Sequence, residues 1–190
     1  MKHFKPIDNL PVDDLMPDYL TLLKSDKINW GNRNQINITS VKGKEDDIHY
    51  GGGSLYYDWD KSYWCDKENR LIVPPRDVML RDEDFTELAT PFRGTMFEDV
   101  YNTLCQQYVL GRTRLMLSQP KTCLSWHVDF TPRLHYPIKT QEGCLMIIDD
   151  EMCHLEQNKW WCTNTLTNHT ALNSSKEDRI HIVAVILAEK

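Results

Sequence analysis

Between Arg112 and Leu187 the chain breaks into short segments that suit strands: 112–118, 123–130, 134–139, 144–148, 152–157, 159–163 and 179–187, each bounded by polar turn residues. About seven short strands with no β-helix-β alternation visible among them disfavour a doubly wound fold, and a barrel or double-sheet jelly roll is expected. The last segment, R-I-H-I-V-A-V-I-L, also fixes which side is core. Ile180, Ile182, Ala184 and Ile186 share one face by the two-residue period and can fill one apolar layer, while Arg179 and His181 share the other. An arginine on a face that lines a cavity needs an anion, because a buried guanidinium without a carboxylate partner is costly.

The segment W-H-V-D carries a second pattern. His127 and Asp129 are separated by one residue, so in a strand they project from the same face, which is half of a facial triad of two histidines and one carboxylate. His169 is the best third ligand. Such a triad leaves three positions on Fe(II) open for oxygen and a co-substrate, and Arg179, ten residues further on, can hold a carboxylate through two parallel hydrogen bonds. Arg133 and His135 share a face in the same way. The competing reading of His127 is a buried histidine bonded to a nearby carboxylate, and that of His169 is an exposed loop residue. A zinc site built from Cys144, Cys153, His154 and Cys162 lacks the short ligand spacing of structural zinc sites.

These residues, R-L-M-L-S-Q-P, W-H-V-D, R-L-H-Y-P-I-K-T, N-H-T-A-L-N and R-I-H-I-V, resemble the aspartyl/asparaginyl β-hydroxylase family of Fe(II)- and 2-oxoglutarate-dependent oxygenases over roughly residues 95–190. The resemblance implies a double-stranded β-helix, cupin-like in its jelly-roll core. It implies that His127, Asp129 and His169 bind iron, that Arg179 binds the distal carboxylate of 2-oxoglutarate, and that Arg133 and His135 help hold the co-substrate or the substrate. It further implies a dioxygenase that hydroxylates an amino acid, free or within a peptide or protein, while 2-oxoglutarate is decarboxylated to succinate. The animal enzymes that give the family its name lack the carboxylate ligand; bacterial relatives that hydroxylate free proline have it, as this chain does in Asp129. The alternative is a non-catalytic jelly-roll module that binds a metal or small molecule.

Upstream, 95–109 places Met96, Phe97, Val100, Leu104, Cys105 and Tyr108 at helical spacing, with Gly111 as its C-terminal stop, and this helix is expected to support a sheet from outside. A shorter helix is expected within 11–24, with a second possible start at Pro17. Residues 35–41 alternate as a half-buried strand, and 71–75 read as a strand stopped by prolines. Gly51–Gly53 are not followed by G-K-[ST], so they read as a loop and not a phosphate cradle. Two readings stay open for Tyr56, Tyr57, Trp59, Tyr63 and Trp64, a lid over a substrate pocket or packing on the sheet, and Trp160 and Trp161 can likewise be pocket floor or core.

One domain over 1–190 is expected, with 1–94 as an N-terminal extension and 95–190 as support helix and jelly-roll core. The net charge of −6 argues against a nucleic-acid partner. The first residues contain no apolar signal segment and no run approaches a membrane span, so neither a membrane nor a secretory route is expected. Six scattered cysteines without C-x-x-C read as reduced thiols of a cytoplasmic protein, and His3 is expected in a frayed terminus.

Overall fold

Two helices flank one face of the largest sheet, and both follow the apolar spacing of the sequence. The computed structural model describes residues 2–10, 14–53, 55 and 80–190. The first helix, α1 (Met16–Lys24), has Pro17 in its first turn, where a missing N–H costs nothing, and buries Tyr19 and Leu22. The second, α2 (Met96–Gln107), buries Phe97, Val100 and Leu104. Asp18 ties the two together, its carboxylate accepting the Met96 amide at 2.7 Å at the positive end of α2. Among the described residues no helix is long and apolar enough to cross a membrane.

Gly111 does not stop α2. Tyr108 donates its amide to Leu104 and already has extended backbone (φ −129°, ψ 150°), so the chain passes directly into β5 (Tyr108–Ser118). Gly111 lies inside that strand, where a Cβ would stand 2.8 Å from the Asp82 carbonyl oxygen. The glycine answers a close backbone approach rather than a turn.

The other strands are β1 (Phe4–Ile7), β2 (Gln35–Asn37), β3 (Thr39–Ser40), β4 (Glu87–Leu88), β6 (Thr122–Cys123), β7 (Arg133–Lys139), β8 (Cys144–Ile148), β9 (Glu151–Cys153), β10 (Trp160–Thr163), β11 (His169–Asn173) and β12 (Arg179–Glu189). They form a six-stranded sheet in the order β1-β10-β7-β12-β5-β2, a four-stranded sheet β6-β11-β8-β9 and the pair β3-β4, with every pairing antiparallel. Main-chain pairing runs 11 residues along both β5 and β12, which makes these two strands the spine of the large sheet.

Several expectations need correction. The segment 123–130 is a strand only at its start; beyond Cys123 it is held by scattered bonds. Residues 35–41 split at Ile38, whose amide turns to Thr113, and all of 36–40 is buried rather than half-buried. The strand expected over 152–157 is the shorter β9. His3 is 4% exposed, next to β1, with its backbone N–H donated to Glu151 at 2.9 Å, so the terminus is tied down. The aromatic segment 56–64 and the strand expected at 71–75 lie outside the described residues.

The main core fills the space between the helices and the outer face of the large sheet. Ile180, Ile182, Ala184 and Ile186 form the expected apolar layer there, joined by Leu134, Tyr136 and Ile138 of β7 and by the buried faces of α1 and α2. Trp160 belongs to this core, its ring 4.9 Å from that of Tyr136. A smaller cluster of Phe4, Met146, Ile148, Leu155, Trp161 and Ala171 joins the inner faces of the two sheets. Both tryptophans of the W-W pair are core, and neither lines the cavity described next. What the two clusters leave open is the remainder of the inner face, and the polar residues of β5, β7 and β12 look into it.

Candidate active site

His127, Asp129 and His169 meet although only His169 stands on a regular strand. His127 and His169 exchange main-chain bonds, His127 N–H to His169 C=O at 3.1 Å and the reverse at 2.9 Å, and the Asp129 amide donates to Thr165 at 2.9 Å. These bonds dock the extended segment 124–130 against β11 and give it a strand's alternation without a strand's ladder. The segment is open to solvent, with His127 as well as Leu124, Trp126, Val128 and Phe130 exposed, and Leu124, Val128 and Phe130 line the cavity beside His127 and Asp129. One ligand atom from each of the three side chains lies within 4.8 Å of the others, with Asp129 Oδ2 at 3.6 Å from His169 Nε2 and the two imidazole centroids 4.2 Å apart. His169 is 3% exposed, not the loop residue of the competing reading.

The imidazoles are held in one tautomer by the backbone. Nδ1 of His127 lies 2.7 Å from the Ser125 carbonyl and Nδ1 of His169 lies 2.9 Å from the Thr167 carbonyl. A carbonyl can only accept, so each Nδ1 carries a proton and Nε2 is left as the atom free to face a metal, which is the arrangement a metal-binding histidine requires. Burial lowers the basicity of His169, keeping it neutral. Burial alone would raise the Asp129 carboxyl, but Arg133, whose Nε donates to Oδ2 at 3.0 Å, outweighs it and holds the group below the usual carboxylate range. Two imidazoles aimed through Nε2 and an ionised carboxylate converge, a donor set that suits a divalent ion of intermediate softness.

Behind the triad a cavity of about 620 Å³ opens between the sheets. Its wall on the large sheet is polar: Arg112 and Arg114 from β5, Arg133 and His135 from β7, Arg179 and His181 from β12. The register sets them in rows, Arg114 opposite Val183 and Val183 opposite His135. His135 and His181 are 8% and 2% exposed, and none of their four ring nitrogens has a hydrogen-bond partner. Burial, reinforced by Arg179, pushes His135 down to about 3 and His181 in the same direction, so both are neutral. No hydrogen bond or ion pair holds Arg179 among the described residues, and burial lowers its pKa.

The structure adds partners that lie far off in sequence. Asp82 accepts from Arg112 Nε at 3.1 Å and sits 3.7 Å from Arg133, all three nearly inaccessible. Arg112 Nη1 also donates to the carbonyls of Gly51 and Gly53, which gives the glycine loop its role as part of the wall. Gln35 accepts from Arg114 Nη1 at 2.8 Å. The period of R-T-R in β5 was the available signal for Arg112 and Arg114; nothing local marks Asp82 or Gln35. The cysteine-rich alternative does not assemble. Among the described residues the histidine-aspartate group is the only cluster of three or more metal-type side chains, and Cys144 donates to Asn173 while His154 donates to the Cys144 carbonyl.

Comparison with known proteins bears on the family and the fold. An L-proline cis-4-hydroxylase of Rhizobium meliloti (strain 1021) is 24% identical over 140 residues, 68% of this chain and 50% of the relative, so the chain spans about half the length of the curated relative it matches. An oxidoreductase of the 2OG-Fe(II) oxygenase family from Burkholderia pseudomallei superposes over 97% of this chain and 84% of its own with a TM-score of 0.51 at 7% identity, which shows a shared double-stranded β-helix fold. A prolyl-4-hydroxylase of Pseudomonas putida superposes with a TM-score of 0.45 at 10% identity, over 97% and 87% of the two chains. The model of the aspartyl/asparaginyl β-hydroxylase family matches residues 76–188, which take in the triad, Arg133, His135 and Arg179, and the chain belongs to that family.

Proposed function

We propose that the protein is an Fe(II)- and 2-oxoglutarate-dependent hydroxylase acting on an amino acid, free or within a peptide. The observation that carries this reading is the convergence of His127, Asp129 and His169 at the edge of a cavity whose far wall is cationic. In the reading, those three residues hold Fe(II), and Arg179 holds the distal carboxylate of 2-oxoglutarate through the parallel donors of its guanidinium. With both bound, the iron and co-substrate supply oxidative decarboxylation to succinate and hydroxylation of an unactivated C–H bond.

The chain's own residues do the rest. Backbone carbonyls at Ser125 and Thr167 aim the imidazoles, and Arg133 fixes the rotamer of Asp129 while keeping it ionised. Arg133 spends its Nε on Asp129 and its Nη1 on Thr131, so its contact to co-substrate or substrate would come from the remaining nitrogen. His135, neutral and unpartnered, offers a hydrogen bond to the same co-substrate. No residue need act as general base, since the reaction requires a positioned C–H rather than an ionised nucleophile. The five described cysteines are free thiols, which supports action in a reducing compartment such as the cytoplasm.

Anaerobic titration of Fe(II) and 2-oxoglutarate into the apo protein tests the reading. A visible metal-to-ligand charge-transfer band is expected, lost in His169→Ala. Its absence from folded wild-type protein overturns the oxygenase reading and favours a module that binds without turnover.

A further inference from the structure

Arg179 is one of four arginines on the cavity wall, and the other three gather at the far end of the floor. Arg114 pairs across β12 with Val183, four residues along from Arg179, so their backbones stand about 13 Å apart along the strand at ~3.3 Å per residue. Arg114 stands instead beside the group in which Arg112 and Arg133 flank Asp82 at 3.1 and 3.7 Å. The cavity wall therefore carries its cations toward two ends, with His135 between them.

At the second end, two of the three charges are matched inside the protein. Arg112 pairs with Asp82 and Arg133 with Asp129. Arg114 has no carboxylate partner among the described residues. It is 7% exposed, its Nη1 donates to Gln35, and its Nε is buried without an acceptor. Nε and Nη2 form the edge of the guanidinium opposite Gln35, where two parallel donors fit a carboxylate. Gln35 is itself held, its Oε1 accepting the Gly53 amide at 3.1 Å.

Charge counting gives the same answer. The cavity wall has four guanidiniums against the two carboxylates Asp82 and Asp129 among the described residues. A divalent metal adds two positive charges and dianionic 2-oxoglutarate removes two, so the excess survives loading. A buried cation left in that state is costly, so among the described groups this end of the cavity favours a ligand that brings an anion.

We infer that Arg114, aimed by Gln35, binds a carboxylate of the primary substrate, so that this chain acts on a carboxylate-bearing molecule small enough to enter the cavity. The word substrate rests on the oxygenase reading; the carboxylate site itself needs no iron. The α-carboxylate of a free amino acid and the side chain of an aspartyl residue present the same group. Gln35 lies outside the span matched by the family model, so the residue that orients the clamp belongs to the N-terminal part of this chain.

Calorimetric titration tests this, on metal-free protein and on protein loaded anaerobically with Fe(II) and 2-oxoglutarate. The probes are the standard free L-amino acids, each against its C-terminal amide, and N-acetyl-L-aspartic acid α-amide against N-acetyl-L-asparagine amide. At least one acid is expected to bind tenfold or more tightly than its neutral amide, as loss of a charge-assisted bidentate contact implies. Preference among the free amino acids identifies an α-carboxylate, and preference for the aspartyl probe a side-chain carboxylate. Arg114→Gln is expected to remove the discrimination and Arg114→Lys to keep part of it, while the charge-transfer band of bound 2-oxoglutarate stays. Equal binding of acids and amides by wild-type protein, no binding of any acid, or discrimination that persists in Arg114→Gln overturns the inference. Arg114-dependent acid binding in a protein that forms no charge-transfer band would overturn the oxygenase reading and leave the carboxylate site standing.

Discussion

Gly111→Ala is expected to destabilise the protein by driving a methyl group into main chain. The new Cβ would lie 2.8 Å from the carbonyl oxygen of Asp82, 3.1 Å from its carbonyl carbon and 3.3 Å from its Cβ. Two of these atoms are main chain, so no rotamer change can clear them, and β5 must move away from the 82–84 turn by several tenths of an ångström. That movement costs about 1–3 kcal/mol as overpacking. It also stretches the pair between Asp82 and Arg112, both about 5% exposed, and complete loss of such a pair costs about 3–5 kcal/mol. A partial stretch adds a fraction of that, for a total of about 2–4 kcal/mol. Gly43→Ala is the control, since Gly43 has φ +81° and nothing within 4 Å, so its cost is handedness alone, about 1–2 kcal/mol. Urea denaturation followed by tryptophan fluorescence reads both variants. If Gly111→Ala loses less than Gly43→Ala, the turn is not packed on β5 as described and the account of the Asp82 pair fails with it.

Three further outcomes follow from the site. Arg179→Ala should raise the 2-oxoglutarate requirement roughly 10- to 100-fold with an unchanged circular dichroism spectrum, because a charge-assisted pair of about 1.5–3 kcal/mol is lost; an unchanged requirement moves the clamp to Arg133. Asp129→Ala should abolish or severely reduce turnover while the protein stays folded, and retained succinate formation would mean that two imidazoles suffice here. His135 gives a pH dependence. Its pKa is pushed down to about 3 in the folded protein and returns to 6.5 on unfolding, so between those values the unfolded chain holds a proton that the native chain lacks. Stability is then complete above about pH 6.5 and falls as pH drops toward 3, by up to about 1.4 kcal/mol per unit. His181 acts in the same direction. His135→Phe should flatten the slope over that window, and a slope equal to wild type would refute the assignment.

The fold was legible where a single periodicity decided it. The β12 face of Ile180, Ile182, Ala184 and Ile186 and the α2 face of Phe97, Val100 and Leu104 could be read because each element buries one stripe against one partner. Gly111 misled because a glycine after a helix has two physical uses, a left-handed turn or a close approach, and only the position of Asp82 selects between them. The segment 123–130 misled for a related reason. Its apolar and polar residues alternate in the sequence, but alternation of side chains needs extended backbone, not a complete ladder, and here a single bridge between His127 and His169 takes the ladder's place.

The site divides in the same way. His127 with Asp129, Arg133 with His135, and Arg179 with His181 are pairs two apart, so local geometry alone puts each pair on one side of the chain. What makes them a site is non-local. Asp82 reaches Arg112 across 30 residues and Gln35 reaches Arg114 across 79, and neither acid nor amide carries any local mark of its partner. A guanidinium can be placed on a cavity wall from its strand period, but whether it is neutralised there depends on what the rest of the chain brings. Among the described residues, two of the four wall arginines have internal carboxylate partners and two do not. Those two are Arg179 and Arg114, and in the reading proposed above one takes the distal carboxylate of 2-oxoglutarate and the other a carboxylate of the substrate.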